Sequence, residues 1–511
     1  MNHVFPDHWS FMLGEVALYC FVILVITGTY LALFFHASSE KVFYDGSYAP
    51  LVGQKVSVAF RSMLHISLDV PAGLLIRQMH HWAADIFLWA IVAHLARIFF
   101  TAAYRKPREL NWLIGLTLLV LALVNGFFGY SLADDLLSGT GLRVGYSIML
   151  SIPVVGPWLA YLFMGGTVPN PETLPRMYSM HIFLVPALIA GLLVLHLGMI
   201  WRQMHTNYPG PKRTNRTIVG SRLWPTYTAK SIGLLLLLFG AVAALGAFAQ
   251  IDPVWIYGPY DPSATMAGAQ PDWYLGWVEG AMRLSPGVNL RLGHWLVPEL
   301  FFPAVLMPLL VFLTLYLWPF LEKLFSKDEG DQNVLRMPYE QPVKTALGVA
   351  VFTFMLVLLT GGADDIISVS LGTSVVELRT ILRILVFVAP VCAAGVAYLV
   401  CVRLRSSRAA SAALTEQLAG LEERRQVAHA LREDEEPLLL LPAVSGGAPD
   451  AIPDGVQQEQ VAGGVENVGK RQSLMETGNP AKVALHPDES TDHHQQQIKL
   501  AADSGWKQEI E

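Results

Sequence analysis

Five histidines stand in or beside two of the apolar stretches of this chain, where an ionisable side chain is costly and usually functional. Residues 77–97 read RQMHHWAADIFLWAIVAHLAR and carry His80, His81 and His94; residues 182–201, IFLVPALIAGLLVLHLGMIW, carry His196, with His181 just before them. His80 and His94 are fourteen residues apart, which on a helix puts them about 40° apart around the axis and roughly 21 Å apart along it. His81 is thirteen from His94 and points about 140° away. His181 and His196 are fifteen apart, within about 60° of one face. Two such helices side by side offer one imidazole each at two depths. Imidazoles on opposite faces of a flat macrocycle form the bis-histidine haem arrangement, and bundle cores commonly hold cofactors this way. His80 with His181, and His94 with His196, are therefore the candidate iron ligands at two levels. His81 is expected at an interface.

Two glycine pairs repeat the spacing. Gly14 and Gly28 are fourteen apart, as are Gly115 and Gly129. Without a side chain, each lets a macrocycle edge lie against backbone; small residues also serve plain helix packing in membranes. Arg77, Arg97 and Arg176 lie within a turn or two of the histidines, placed to pair with propionates or to snorkel to the membrane edge.

These residues need long apolar helices to hold them. Only 15% of the 511 residues are charged and 53% are hydrophobic, against about 25% charged in soluble domains. Six further apolar runs, 13–35, 118–132 with its lead-in from Trp112, 231–249, 300–318, 345–360 and 380–402, join the two that carry histidines. A span takes about 20 residues, so the chain is expected to be an all-α integral membrane protein with eight transmembrane helices. The first run is long enough to be a span rather than a cleaved signal. Cys20, Cys392 and Cys401 lie in apolar runs, and no CxxC or CxxCH occurs, so neither a disulfide framework nor covalent c-type haem is encoded in this sequence.

The charges set orientation and organisation. Segments 102–110, 202–230, the loop after 319 and the exit at Arg403 are basic. They share one side if the helices alternate, and the positive-inside rule makes that side cytoplasmic, with both termini. Segments 36–74, 133–175 and 252–296 then face outward. From Arg403 onward there are 11 Lys/Arg and 18 Asp/Glu, which leaves 24 and 23 for the rest. The acidity belongs to the tail. Residues 403–436 suit a polar helix, and beyond Pro437 the composition favours disorder. Nothing in this balance calls for a nucleic-acid partner. The expected division is a di-haem four-helix bundle over 1–230, a second four-helix part over 231–402, and a polar, largely disordered tail over 403–511.

The outward segment between the fifth and sixth runs contains AQPDWYLGW, residues 269–277. Pro271 stiffens the chain, Asp272 can accept a proton, and Trp273 and Tyr274 supply aromatic edges. Beside an outer haem level, such a carboxylate suits a reaction that releases protons with electrons.

With paired histidines, paired glycines and this loop, residues 4–400 closely resemble cytochrome b of the bc1 (quinol–cytochrome c reductase) complex, most of all its actinobacterial, menaquinol-using branch. VFPDHWSFMLGE, RQMHHWAA, HLARIFF, GYSLADDLLSG and PGPKRT carry the likeness. The resemblance implies an outer, low-potential haem b on His80 and His181, and an inner, high-potential one on His94 and His196. Tyr130 and Pro271–Tyr274 would border a quinol oxidation pocket, with Asp272, Tyr274 and Tyr130 as its reactive side chains. It also implies a Q cycle in the bacterial plasma membrane. One electron goes to a Rieske iron–sulfur subunit; the other crosses through both haems to a quinone reduced near the cytoplasmic side. The implied partners are a di-haem cytochrome c subunit, a second copy of the complex and a terminal cytochrome oxidase.

The sequence departs from the family pattern in places. The motif is usually Pro-Glu-Trp-Tyr, so Asp272 is one methylene shorter. Where mitochondrial relatives have an Asp near the start of the fifth helix, Ser231 stands here, after Lys230. Trp201 replaces a histidine five residues beyond the second inner ligand. His205 and Lys230 are the reduction-site candidates that position alone offers. The amphipathic helix usual before the first span is expected to be absent or shortened. The rival reading is the di-haem cytochrome b anchor of another dehydrogenase or reductase, a class with fewer spans and no PDWY loop.

Overall fold

The computed structural model describes residues 4–433 apart from 267, 294 and 327–329; the segment beyond Pro437, expected to be disordered, lies outside the described residues. Among the described residues eight helices are long and apolar enough to cross a membrane, in the places the apolar runs predict. They are α1 (Leu13–Ala32), α2 (Gly73–Phe100), α3 (Glu109–Ser131), α4 (Thr173–Gln203), α5 (Leu223–Phe248), α6 (Phe302–Phe325), α7 (Pro342–Gly362) and α8 (Val375–Val427). Their outer faces leave large apolar side chains such as Leu237, Phe248 and Val391 exposed. In water that would be a severe liability, whereas lipid satisfies it. Residues 1–425 form one compact unit. The span and the polar stretch after Val402 share one unbroken helix, because the change in composition there brings no helix-breaking residue.

The four N-terminal helices meet around shared cores. Cys20 and Ile23 of α1 pack on Met79 and Ala83 of α2, joined by Leu238 and Val242 of α5. Phe128 and Leu132 of α3 pack on Met177, Val185 and Ile189 of α4. Within α4, residues Met180–Leu184 form a π turn. Pro186 follows and has no N–H to close the i→i−4 bond, so the ladder widens just before it.

The connecting segments interlock on two sides. On the side with the basic loops, Gln332 N–H donates to the Lys106 carbonyl at 2.8 Å, Asn207 N–H to that of Asn333 at 2.8 Å, and Arg336 N–H to that of Thr101 at 3.1 Å. Arg105 and Arg108 reach the Val334 carbonyl and Asn333 Oδ1 at 2.8 and 2.6 Å. These cations therefore staple loops together as well as marking a membrane side. On the opposite side Tyr260 N–H donates to the Asp134 carbonyl at 2.9 Å, and Ser57 Oγ to Asp134 Oδ2 at 2.5 Å.

A short helix, Trp273–Leu284, carries the PDWY motif at its start. A Cβ added at Gly280 would lie 1.7 Å from the Leu358 carbonyl oxygen of α7. Only glycine permits that backbone approach. Arg283 fixes the far end, with Nη1 2.7 Å from Asp364 Oδ1 and Nε 2.9 Å from Glu279 Oε1. The motif is thus held by a rigid helix anchored to a span.

Candidate functional site

The outer level is built from α1 to α4. Thr27 Oγ1 donates its one proton to the Ile23 carbonyl at 2.7 Å. It must therefore accept from His80 Nδ1, 2.9 Å away. His181 Nδ1 lies 2.9 Å from the Asn125 carbonyl, which can only accept. Both rings thus carry the proton on Nδ1 and keep a lone pair on Nε2, the tautomer a metal ligand needs. The ring centroids are 6.1 Å apart. A metal about 2.0 Å from each nitrogen, with each ring centre roughly 1.1 Å further on, asks for about 6 Å. The fit is good.

Glycines face all four rings. A Cβ at Gly28 would lie 3.1 Å from His80 Cε1, and one at Gly129 2.5 Å from His181 Cε1. At the inner level the distances are 3.2 Å for Gly14 against His94 and 3.5 Å for Gly115 against His196. The glycine spacing seen in the sequence therefore does place glycines at the histidines. The π turn also explains why the fourth helix needs fifteen residues where the second needs fourteen. An i→i+5 turn takes up about one extra residue, so both helices return to nearly the same face.

The arginines divide. Arg77 Nη2 donates to the Asp252 carbonyl at 2.6 Å, while its Nη1 is buried without a partner. Arg97 stacks over Phe11 at 4.0 Å, with Nε and Nη2 buried and unsatisfied, as is His94 Nδ1 beside it. Buried orphan donors are costly, and a haem carboxylate at each level would satisfy them. Arg176 instead holds the Tyr161 and Leu162 carbonyls at 3.0 and 3.1 Å.

One cavity of about 580 Å³ joins the outer histidine pair to the loop motif, lined by Gly28, His80, Tyr130, His181, Asp272 and Tyr274 among others. Asp272 accepts from Tyr274 Oη at 2.7 Å and lies 3.0 Å from His81 Nε2. Tyr130 donates to the Leu137 carbonyl at 3.2 Å. His81 does sit at an interface, but a reactive one: Asp252 Oδ2 is 3.9 Å from the same nitrogen, and Asp85, one turn on, has a buried oxygen without a partner. Burial raises the Asp272 carboxyl, and the bonds from His81 and Tyr274 more than offset it, so it titrates below its ordinary value. Asp252 is shifted up, chiefly by burial. Neighbouring carboxyls with opposed shifts suit the receipt and passing on of protons. Sequence reasoning missed Asp252 and Asp85; the His81–Asp85 spacing of four, one helical face, was the available signal.

Of the two reduction-site candidates, Lys230 pairs with Asp7 at 2.7 Å and His205 packs on Phe5 with ring centroids 4.3 Å apart.

A fold of eight spanning helices with paired intramembrane histidines defines a membrane cytochrome of the b type, and the comparisons agree. The family described as cytochrome b (N-terminal)/b6/petB matches residues 85–259. The cytochrome bc1 complex cytochrome b subunit of Streptomyces coelicolor is 48% identical over 394 residues, 77% of this chain and 72% of that one. The subunit of the same name from Mycobacterium leprae is 46% identical, covering 80% and 74%. A hyperthermophilic respiratory Complex III shares the fold at a TM-score of 0.59 and 22% identity, over 78% of this chain and 93% of that one. The chain belongs to the family of cytochrome bc1 complex cytochrome b subunits. Its work is electron transport within a respiratory membrane complex.

Proposed function

We propose that this subunit oxidises menaquinol at the outer cavity and passes electrons along two routes. One electron goes to the iron–sulfur centre of a Rieske subunit. The other crosses the membrane to a quinone reduced near the cytoplasmic side, so that the cycle contributes to the proton-motive force. The observation that carries the reading is the single cavity connecting the His80–His181 pair with Asp272 and Tyr274. Donor and acceptor sites must be that close for electron and proton to leave one molecule together.

His80 with His181 would hold one haem b and His94 with His196 the other, supplying one-electron redox chemistry at two depths. Gly14, Gly28, Gly115 and Gly129 would make room for the macrocycles, and Arg77 and Arg97 would bind their carboxylates. Tyr130 would wall the quinol pocket with Asp272 and Tyr274, whereas Pro271 and Trp273, expected beside them, are not among the residues that line the cavity. Asp272, ionised and held by His81 and Tyr274, accepts a quinol proton. Asp252, joined to His81 and shifted up, is placed to pass it toward the outer loops. The division into 1–230, 231–402 and the tail, both termini in the cytoplasm of a bacterial cell, and an assembly with a di-haem cytochrome c, a second copy of the complex and a terminal oxidase complete the proposal.

The test is a redox titration of the reduced-minus-oxidised spectrum of the purified complex, native and with His80→Ala, His94→Ala and His81→Ala. Two b-type components are expected, a different one lost with each of the first two changes and neither with the third. A complex without b-type absorbance would overturn the reading; loss of a haem in His81→Ala alone would overturn the ligand assignment.

A further inference from the structure

The inner face contains a carboxylate that none of the above uses. Glu15 stands in the first turn of α1, next to Gly14, whose missing side chain faces the inner imidazole of His94. Tyr227 Oη donates to Glu15 Oε1, and Ser231 Oγ donates to Oε2 at 2.7 Å. Tyr19 Oη is 2.5 Å from Ser231 Oγ. Since the Ser231 proton is already given to Glu15, Tyr19 must be the donor to Ser231. Three hydroxyls thus point their protons, directly or in relay, at one carboxylate.

That arrangement is poor value as a structural clamp. A carboxylate at a membrane-spanning helix is expensive, and a hydroxyl or amide would tie α1 to α5 as well. Hydroxyl donors do, however, hold a carboxylate that must gain and lose a proton, because each can rotate when the charge changes. The position is also telling. Glu15 of α1 meets α5 at Ser231, next to Lys230 and on the membrane side that carries the basic loops. Water is near, since the preceding residue, Lys230, and its partner Asp7 are both about half exposed.

We propose that Glu15 is the proton-carrying residue of the quinone reduction site on the inner face, with Ser231, Tyr227 and Tyr19 as its positioning residues. The proposal rests on the function inferred above. Reduction of a quinone adds two electrons and two protons, one proton to each carbonyl oxygen. The electrons arrive by the transmembrane route. Protonated Glu15 gives its proton to the nearer carbonyl oxygen, is left ionised among its three hydroxyls, and is reprotonated from the cytoplasmic surface, while the other carbonyl oxygen takes its proton from water at that surface. Titratable groups around it include Tyr19, Tyr227, Asp7 and Lys230, with His205 across Phe5 from Tyr227.

The test uses membranes containing the whole complex, with 2,3-dimethyl-1,4-naphthoquinone as the probe. Reoxidation of the pre-reduced b-type absorbance is followed by stopped flow across roughly pH 6 to 9. Glu15→Gln keeps the acceptor oxygen for hydrogen bonding yet cannot carry a proton. It is expected to retain both b components and the rate of their reduction by quinol at the outer site. Reoxidation should slow by about tenfold or more, mainly in the limiting rate rather than in the probe concentration that half-saturates it, and Glu15→Asp should restore most of it. Native reoxidation in Glu15→Gln would overturn the proposal while leaving the outer-site reading intact. So would loss of b absorbance in both variants, which would make Glu15 structural. If the native complex showed no reoxidation by the quinone at all, the functional reading itself would fail, and this proposal with it.

Discussion

The four glycines that face the paired histidines make a graded prediction, because each offers its histidine a different clearance. A new Cβ would meet the ring at 2.5 Å at Gly129, 3.1 Å at Gly28, 3.2 Å at Gly14 and 3.5 Å at Gly115. Carbon contacts settle near about 3.5–4.0 Å, so alanine fits at Gly115 and asks for a few tenths of an ångström at Gly14 and Gly28. At Gly129 the His181 ring must retreat by about 1 Å. Its Nδ1 bond to the Asn125 carbonyl resists that retreat. Overpacking costs about 1–3 kcal/mol, and alanine's better helix propensity returns only about 1 kcal/mol. A net strain of up to about 2 kcal/mol therefore falls on the His80–His181 pair.

The assay is the redox titration of the b components in the assembled complex. If half of about 2 kcal/mol falls on one oxidation state, the midpoint moves by about 40 mV, since 1.4 kcal/mol is about 59 mV for one electron. Gly129→Ala is expected to shift the outer component by about that much, or to lose it, with the inner one unmoved. Gly28→Ala and Gly14→Ala should each disturb their own level less, and Gly115→Ala should be silent. Glycines serving only helix approach would instead lower the yield of whole complex, both components together. Equal damage from Gly115→Ala and Gly129→Ala, or a silent Gly129→Ala, would refute the reasoning.

Other expectations concern the outer loops. Asp272→Asn should keep both b components and lower quinol oxidation by about 10²-fold or more, read as turnover with a quinol analogue. His81→Ala removes the donor that helps hold Asp272 below its ordinary value, so the pH at which turnover half-saturates should move upward; an unchanged profile would separate His81 from proton transfer. Gly280→Ala forces a Cβ to 1.7 Å from the Leu358 carbonyl and should abolish outer-site turnover while the b spectrum survives. Burial raises the Asp134 carboxyl to about 6. A raised pKa adds stability that is complete below the unfolded value near 4 and lost as pH rises through about 6. Native complex should therefore inactivate faster on heating at pH 7.5 than at pH 5, and Asp134→Asn, which still accepts from Ser57, should flatten that difference.

What was legible in the sequence was whatever obeys a local period. Lipid demands long apolar runs, so eight spans could be counted directly, and residues on straight helices follow a fixed turn, which put His80 and His94 on one face and His81 on another. The fifteen-residue spacing of His181 and His196 looked like a looser match to the same pattern. It is the same pattern with a π turn inserted, and Pro186 was the local mark of it. What was not legible lies between segments distant in the chain. His81 turned away from the face shared by His80 and His94 and so looked idle, yet Asp272, 191 residues on, comes to 3.0 Å from it. Glu15 passed as an ordinary acidic residue in a first turn, where the helix dipole alone would account for it. Only the approach of α5, carrying Ser231 and Tyr227 from more than 200 residues away, shows that it is the focus of a hydroxyl network. Periodicity finds the residues that one helix presents. A proton path is made by residues that different helices present to each other, so it stays hidden until the helices are packed.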